Sequence, residues 1–230
     1  MNKRSVQLII TLTGLAVLAG LTFSLAYAGE LFQFDETEPV PASSYPGSLI
    51  EIDGILYFGA NDGEHGYELW MTDGTPAGTR LVADIYPGPE SSFPADLTNV
   101  NGTLFFCAYD SVHGIELWKS DGTKAGTVLV KDINPGSSHS YPYELIDVNG
   151  TLFFRADDGV HGNALYKSNG TEAGTQQVGD IYPGSGSASP ESIAYAGGLL
   201  FFSADDGSRG RELWSLSFYR IYLPLLLKGY

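Results

Sequence analysis

The chain has 230 residues, with 27 acidic and 12 basic side chains, a net charge of −15 and a single cysteine. A field of that sign excludes nucleic acid as a natural partner and repels anionic lipid surfaces, and one cysteine excludes an internal disulfide framework. Beyond an N-terminal leader about 200 residues remain, enough for one domain with a real core.

In chain order, Lys3 and Arg4 precede an apolar run from Leu8 to Phe23, and Ala26-Tyr27-Ala28 stands before Gly29. This is the pattern of a signal peptide over residues 1–28, cleaved after Ala28. The run is interrupted by Thr11, Thr13 and Gly14, and it is shorter than the roughly 20 apolar residues that a membrane anchor needs. The expected product is secreted or cell-surface, with no membrane span after cleavage. Removal of Lys3 and Arg4 leaves 10 basic against 27 acidic residues, a mature net charge of −17. Residues 29–47 follow, and Leu31, Phe32 and Phe34 within Glu30–Glu36 make this segment a possible closing strand.

From residue 48 to 218 one 48-residue unit recurs four times: GYELWMTDGT begins at Gly66, GIELWKSDGT at Gly114, GNALYKSNGT at Gly162 and GRELWSLSFY at Gly210. A period near 50 with strand-like segments suggests propeller blades. Asp53-Gly54, Asn101-Gly102 and Asn149-Gly150 are two-residue hairpin signals, because a type I′ turn needs positive φ at both central residues. They make the strands on either side antiparallel neighbours. Each unit then runs from an inner strand (near 48–53, 95–100, 143–148 and 191–196) to an outer one (near 79–84, 127–132 and 175–180). The fourth unit has no outer strand in the sequence. The expected fold is all-β, a four-bladed β-propeller of 48-residue repeats with about four antiparallel strands per blade. The missing strand is expected either from the N-terminal segment or from the apolar C-terminal tail, 219–230. Whether the ring closes as a monomer or as a ring-completing homodimer is open at this stage.

ELWMTDGT, ELWKSDGT and the altered ALYKSNGT resemble the ELWxxDGT repeat family over about residues 55–216. That resemblance implies a secreted or surface-associated bacterial repeat protein, of the kind described as hyalin-like. It implies fold and location and supplies no reaction. The third copy departs from the pattern at Ala164, Tyr166 and Asn169, and the fourth lacks the DGT turn. The YLPLLLK stretch of the tail is similar to short tails of other secreted bacterial proteins.

The chemistry-bearing residues that recur fall in the loop after the second strand and in the crossing to the next unit. They are Asp62, Asp110, Asp158 and Asp206; His65, His113 and His161; and Asp84, Asp132 and Asp180. All lie on one face in the deduced phase. Calcium, which takes about six to eight oxygen ligands, or a polyol suits such a face; equally, Asp, Gly and His shape turns there. Trp70, Trp118, Tyr166 and Trp214 are expected to pack between blades rather than to stack on sugars. Cys107 lies in an apolar strand and reads as a buried, inert thiol. The sequons at Asn101, Asn149 and Asn169 fall in turns that account for them. No catalytic residue is singled out. The expected function is a non-enzymatic binding or structural module, with an extracellular glycan or surface protein as partner; the second reading is a glycan-directed lectin or hydrolase.

Overall fold

Each repeat alternates β-branched or aromatic residues with small or polar ones and breaks the run at Gly-containing turns, and each folds into its own antiparallel sheet. The computed structural model describes residues 43–218, and among them there are strands and no helix. The first sheet is β1 (Gly47–Ile52), β2 (Ile55–Asn61), β3 (Tyr67–Thr72) and β4 (Arg80–Ala83). The second is β5 (Ala95–Val100), β6 (Thr103–Asp110), β7 (Gly114–Ser120) and β8 (Val128–Lys131). The third is β9 (Tyr143–Val148), β10 (Thr151–Asp157), β11 (Asn163–Ser168) and β12 (Gln176–Gln177), and the fourth is β13 (Glu191–Ala196), β14 (Leu199–Asp205) and β15 (Arg211–Ser217). Among the described residues the fourth sheet therefore has three strands, as its own repeat leads one to expect. The signal peptide, residues 29–42 and the tail 219–230 lie outside the described residues; residues 43–46 carry no strand, and Gly47 already belongs to β1.

The hairpin signals set the phase as expected. Asn101 and Gly102 have φ of 52° and 83°, Asn149 and Gly150 of 53° and 84°, and in the fourth sheet Gly197 and Gly198 take the same pair of conformations. Each inner strand is also bulged against its neighbour, with the register shifting between Gly47 and Ile50 and between Ala95 and Thr98. Ser48, Asp96, Glu144 and Ser192 sit at these shifts with φ between 53° and 60°. A bulge of this kind adds local twist.

The core lies between sheets. One face of the first sheet, with Tyr57, Leu69 and Met71, packs on Leu104, Phe106, Ala108 and Trp118 of the second. Phe105 and Leu117 on the second sheet's other face meet Leu152, Phe154 and Tyr166 of the third. Phe153 and Leu165 then meet Leu200, Phe202, Trp214 and Leu216 of the fourth. The inner strands β1, β5, β9 and β13 neighbour one another in that order, and among the described residues no closed ring of sheets is formed.

A glycine at positive φ stands at the start of or directly before each third strand, and in some copies the space is closed as well. Gly114 has φ +74°, and a Cβ there would fall onto the Ser138 carbonyl oxygen in the crossing to the third sheet; Gly210 has φ +78° with open space around it. Gly210→Ala should lose about 1 kcal/mol of stability, from backbone strain alone. Gly114→Ala must also displace the crossing and should lose about 3 kcal/mol. Chemical denaturation of the two variants checks the difference, and equal losses would contradict this account of the crossing.

Candidate functional site

Each loop between second and third strands is built on one aspartate. Asp62 Oδ1 accepts the amides of Glu64 (2.9 Å) and His65 (2.8 Å), and its Oδ2 lies 2.7 Å from His65 Nδ1. Asp110 does the same for Val112 and His113, and Asp158 for Val160 and His161. Asp206 accepts the amides of Ser208 and Arg209, so arginine replaces the imidazole in the fourth sheet. The hydrogen bond to each aspartate raises the pKa of His65, His113 and His161 above the ordinary histidine value. Burial alone would raise Asp158, but the His161 ring and the amides of His161 and Val160 outweigh it and hold the carboxyl at about 2.

The crossings lie against these loops, as the deduced phase requires: Asp84 acts electrostatically on His65, Asp132 on His113 and Asp180 on His161. Each of these aspartates accepts one amide of its own crossing, from Gly88, Gly136 and Gly184. The second oxygens of Asp84 and Asp132 are buried without a partner. Among the described residues no group of three or more His, Cys, Asp or Glu side chains is arranged to hold a metal ion.

What fixes the crossings is the glutamate of the ELW triplet. Glu68 and Glu116 are fully buried. Glu116 accepts the amides of Ile133 (3.0 Å), Asn134 (3.3 Å) and Ser140 (3.1 Å) and the Ser140 hydroxyl (2.6 Å). Glu68 repeats the set with Ile85, Tyr86 and Ser92. Burial pushes Glu116 up to about 7, against the opposing pull of these donors. In the third sheet both members of the pair are absent together: Ala164 and Ala188 stand where Glu116 and Ser140 do, and both are buried. Its outer strand β12 is two residues long, against four in β4 and β8. Glu212 of the fourth sheet is exposed.

The pinned crossings deliver a feature that the repeat signature conceals. Tyr45, Phe93 and Tyr141 occupy one position 48 residues apart, each directly before a proline and the inner strand. Their φ values are 47°, 50° and 47°, and Ser189 takes the fourth place at 42°. A residue before proline normally adopts the extended region, and positive φ costs a non-glycine residue about 1–3 kcal/mol. Yet these rings point outward, 71%, 65% and 45% exposed. Phe93 stacks on Tyr67 at 5.9 Å between centroids. Tyr141 meets His139 at 5.1 Å, His139 meets Tyr109 at 5.9 Å and Tyr109 meets Tyr86 at 5.2 Å, so an aromatic strip spans two crossings. The sequence held this signal as Ser-Tyr-Pro, Ser-Phe-Pro and Ser-Tyr-Pro at a fixed period.

Other expected residues fall away from this face. Trp118 and Tyr166 are buried between sheets, and Trp214 donates its indole N–H to the Ala204 carbonyl at 3.2 Å. Cys107 is buried, and its thiol is pushed up to about 12 by loss of solvent. Asn101 and Asn149 lie in hairpin turns. A cleft of 420 Å³, lined in part by Phe153, Lys167, Leu216 and Phe218, opens at the opposite, hairpin end of the sheets. Among the described residues no helix is long and apolar enough to cross a membrane. No family model matches the chain, and no curated protein matches it.

Glu116→Ala removes the acceptor of the Ile133 and Asn134 amides and one of two acceptors of Ser140, whose amide and hydroxyl also reach the Ile115 carbonyl, and should lose about 2–4 kcal/mol of stability, whereas Glu212→Ala should stay within about 0.5 kcal/mol of the parent. Because the folded pKa of Glu116 is raised from 4.5 to about 7, folding favours its protonated form. That contribution is complete below the unfolded value and is lost as pH rises through about 7. Melting curves across this range should show the parent losing stability that Glu116→Ala does not lose; parallel curves would contradict the assignment.

Proposed function

We propose that the four sheets are blades of a β-propeller in a secreted or cell-surface protein of the ELWxxDGT repeat type, and that it is a non-enzymatic module binding extracellular glycan on its crossing face. The observation that carries this reading is the recurrence of an exposed aromatic at a strained backbone position in three successive repeats. Apolar rings held outward against strain gain nothing from burial in the isolated chain. They suit a ligand that presents flat C–H faces and hydroxyls together, as sugars do. The rings stack on the sugar faces. Neighbouring aspartates, imidazoles and crossing carbonyls take up the hydroxyls. Such a surface works through several weak contacts spaced by the repeat, so an extended or repeating saccharide fits it better than a single sugar.

The reading makes stability and binding move in opposite directions at one residue. Phe93→Gly should raise stability by about 1 kcal/mol, because glycine adopts positive φ without strain. The same change, and Tyr141→Ala, should each weaken saccharide binding about tenfold. A glycan array identifies the ligand and calorimetry of the parent and variants measures the loss. Array silence for the mature chain, or parental affinity in Phe93→Gly, would overturn the reading; turnover of a bound saccharide would favour a hydrolase on the same face.

A further inference from the structure

The three interfaces between sheets follow one pattern. A face carrying an aromatic from the second strand and a leucine from the third meets a face carrying a leucine and a phenylalanine from the second strand and a large aromatic from the third. Tyr57 and Leu69 meet Leu104, Phe106 and Trp118; Phe105 and Leu117 meet Leu152, Phe154 and Tyr166; Phe153 and Leu165 meet Leu200, Phe202 and Trp214. The two ends of the array carry the two halves of a fourth such interface. The outer face of the fourth sheet has Phe201 and Leu213, and the outer face of the first has Leu56, Phe58 and Trp70.

Burial shows that neither half is engaged as its counterparts are. Leu69, Leu117 and Leu165 are 0–1% exposed, whereas Leu213 is 75% exposed. Leu104, Leu152 and Leu200 are buried, as are Phe106, Phe154 and Phe202, while Leu56 and Phe58 are only half-buried. The fourth sheet's face is polar around its two apolar residues, with Ser203, Arg211 and Ser215. The corresponding face of the third sheet also carries Arg155 and Lys167 beside Phe153 and Leu165 and packs, with Ile146, Val148, Val178 and Ile181 adding to it. Phe201 and Leu213 keep the two positions common to all three packed halves.

We propose that these end faces join head to tail between two copies of the chain, the fourth sheet of each packing on the first sheet of the other to close a ring of eight sheets. The occupant follows from the interface: the partner face that fits Phe201 and Leu213 is the one this chain itself carries at its other end. The faces differ, so the contact is heterologous and needs a rotation that closes. Two copies satisfy both ends of both chains. Propellers hold roughly four to eight blades, so eight sheets fall within that range and a third copy would exceed it. This inference rests on packing alone and is independent of what the crossing face binds.

The test uses the mature chain, residues 29–230, by light scattering during size-exclusion chromatography. The parent should run at twice the chain mass at micromolar concentration. Leu213→Arg and, separately, Phe58→Arg should each weaken association about tenfold or more and run at single mass. Mixed one to one, the two variants should regain double mass, because one sound interface remains between them. Leu213 is exposed within one chain, so Leu213→Arg carries the test alone if Phe58→Arg fails to fold. A parent at single mass throughout the micromolar range, a Leu213→Arg variant at double mass, or a mixture of two folded variants that stays at single mass would each overturn the proposal.

Discussion

Two of the three crossings are fixed by a buried carboxyl group that ties one sheet to the start of the next. A crossing rich in Pro, Gly and Ser has many amides and few side chains to pack, so it cannot hold itself in place. Glu68 and Glu116 solve this by offering two oxygens to three amides and a serine hydroxyl spread along the crossing. Carboxyl oxygens that accept several hydrogen bonds in a buried site hold their donors firmly, and the same burial makes a half-formed version costly. The third repeat illustrates that rule within one chain. Ala164 and Ala188, both buried, replace glutamate and serine together, which removes donor hydroxyl and acceptor at once. Losing both partners is tolerable where losing one is not.

The clamp also explains how strain is held beside solvent. Tyr45, Phe93 and Tyr141 occupy left-handed backbone immediately after a clamped or hydrogen-bonded residue. Ser44, Ser92 and Ser140 each accept an amide from the end of the neighbouring second strand, at 2.8–2.9 Å. The conformation is thus imposed from both sides, and the outward ring is a consequence of rigid neighbours rather than of local preference. Rigid elements presenting side chains to solvent are the usual way in which a scaffold carries recognition. Asp–His pairs on the adjacent loops extend the same face with orientable imidazoles, whose positive charge persists to higher pH than that of a free histidine.

Much of this was legible in the sequence, and the reasons for success and failure are physical. The period and the Asn-Gly pairs gave strand order, because a two-residue hairpin leaves one antiparallel pairing; three of the four inner strands fall on the expected residues. The three described strands of the fourth sheet were legible because its repeat breaks down after Trp214. The face was legible too, since the loops and crossings share an end once the phase is set. Its contents were not. The ELW glutamate reads as a surface charge until the crossing folds over it, and burial of a carboxylate depends on donors about 17–24 residues away. The pre-proline aromatics lay inside a segment whose composition reads as plain loop, and no local rule predicts positive φ for Tyr or Phe before proline.

The fourth repeat is where these threads meet, because it can be read as a cap or as a joint. A capping repeat in a linear array replaces the apolar residues of its outer face with polar ones, since nothing packs beyond it. Here Glu212 is released to solvent and serines stand at 203, 215 and 217, which suits a cap. Phe201 and Leu213 do not. They retain the two apolar positions through which every earlier sheet engages the next, and Leu213 does so at almost full exposure. An isolated exposed leucine is ordinary on a protein surface; one that keeps its place in a contact made three times between successive sheets, while the matching residues of the first sheet are only half-buried, is what the proposed joint between copies explains and a cap does not.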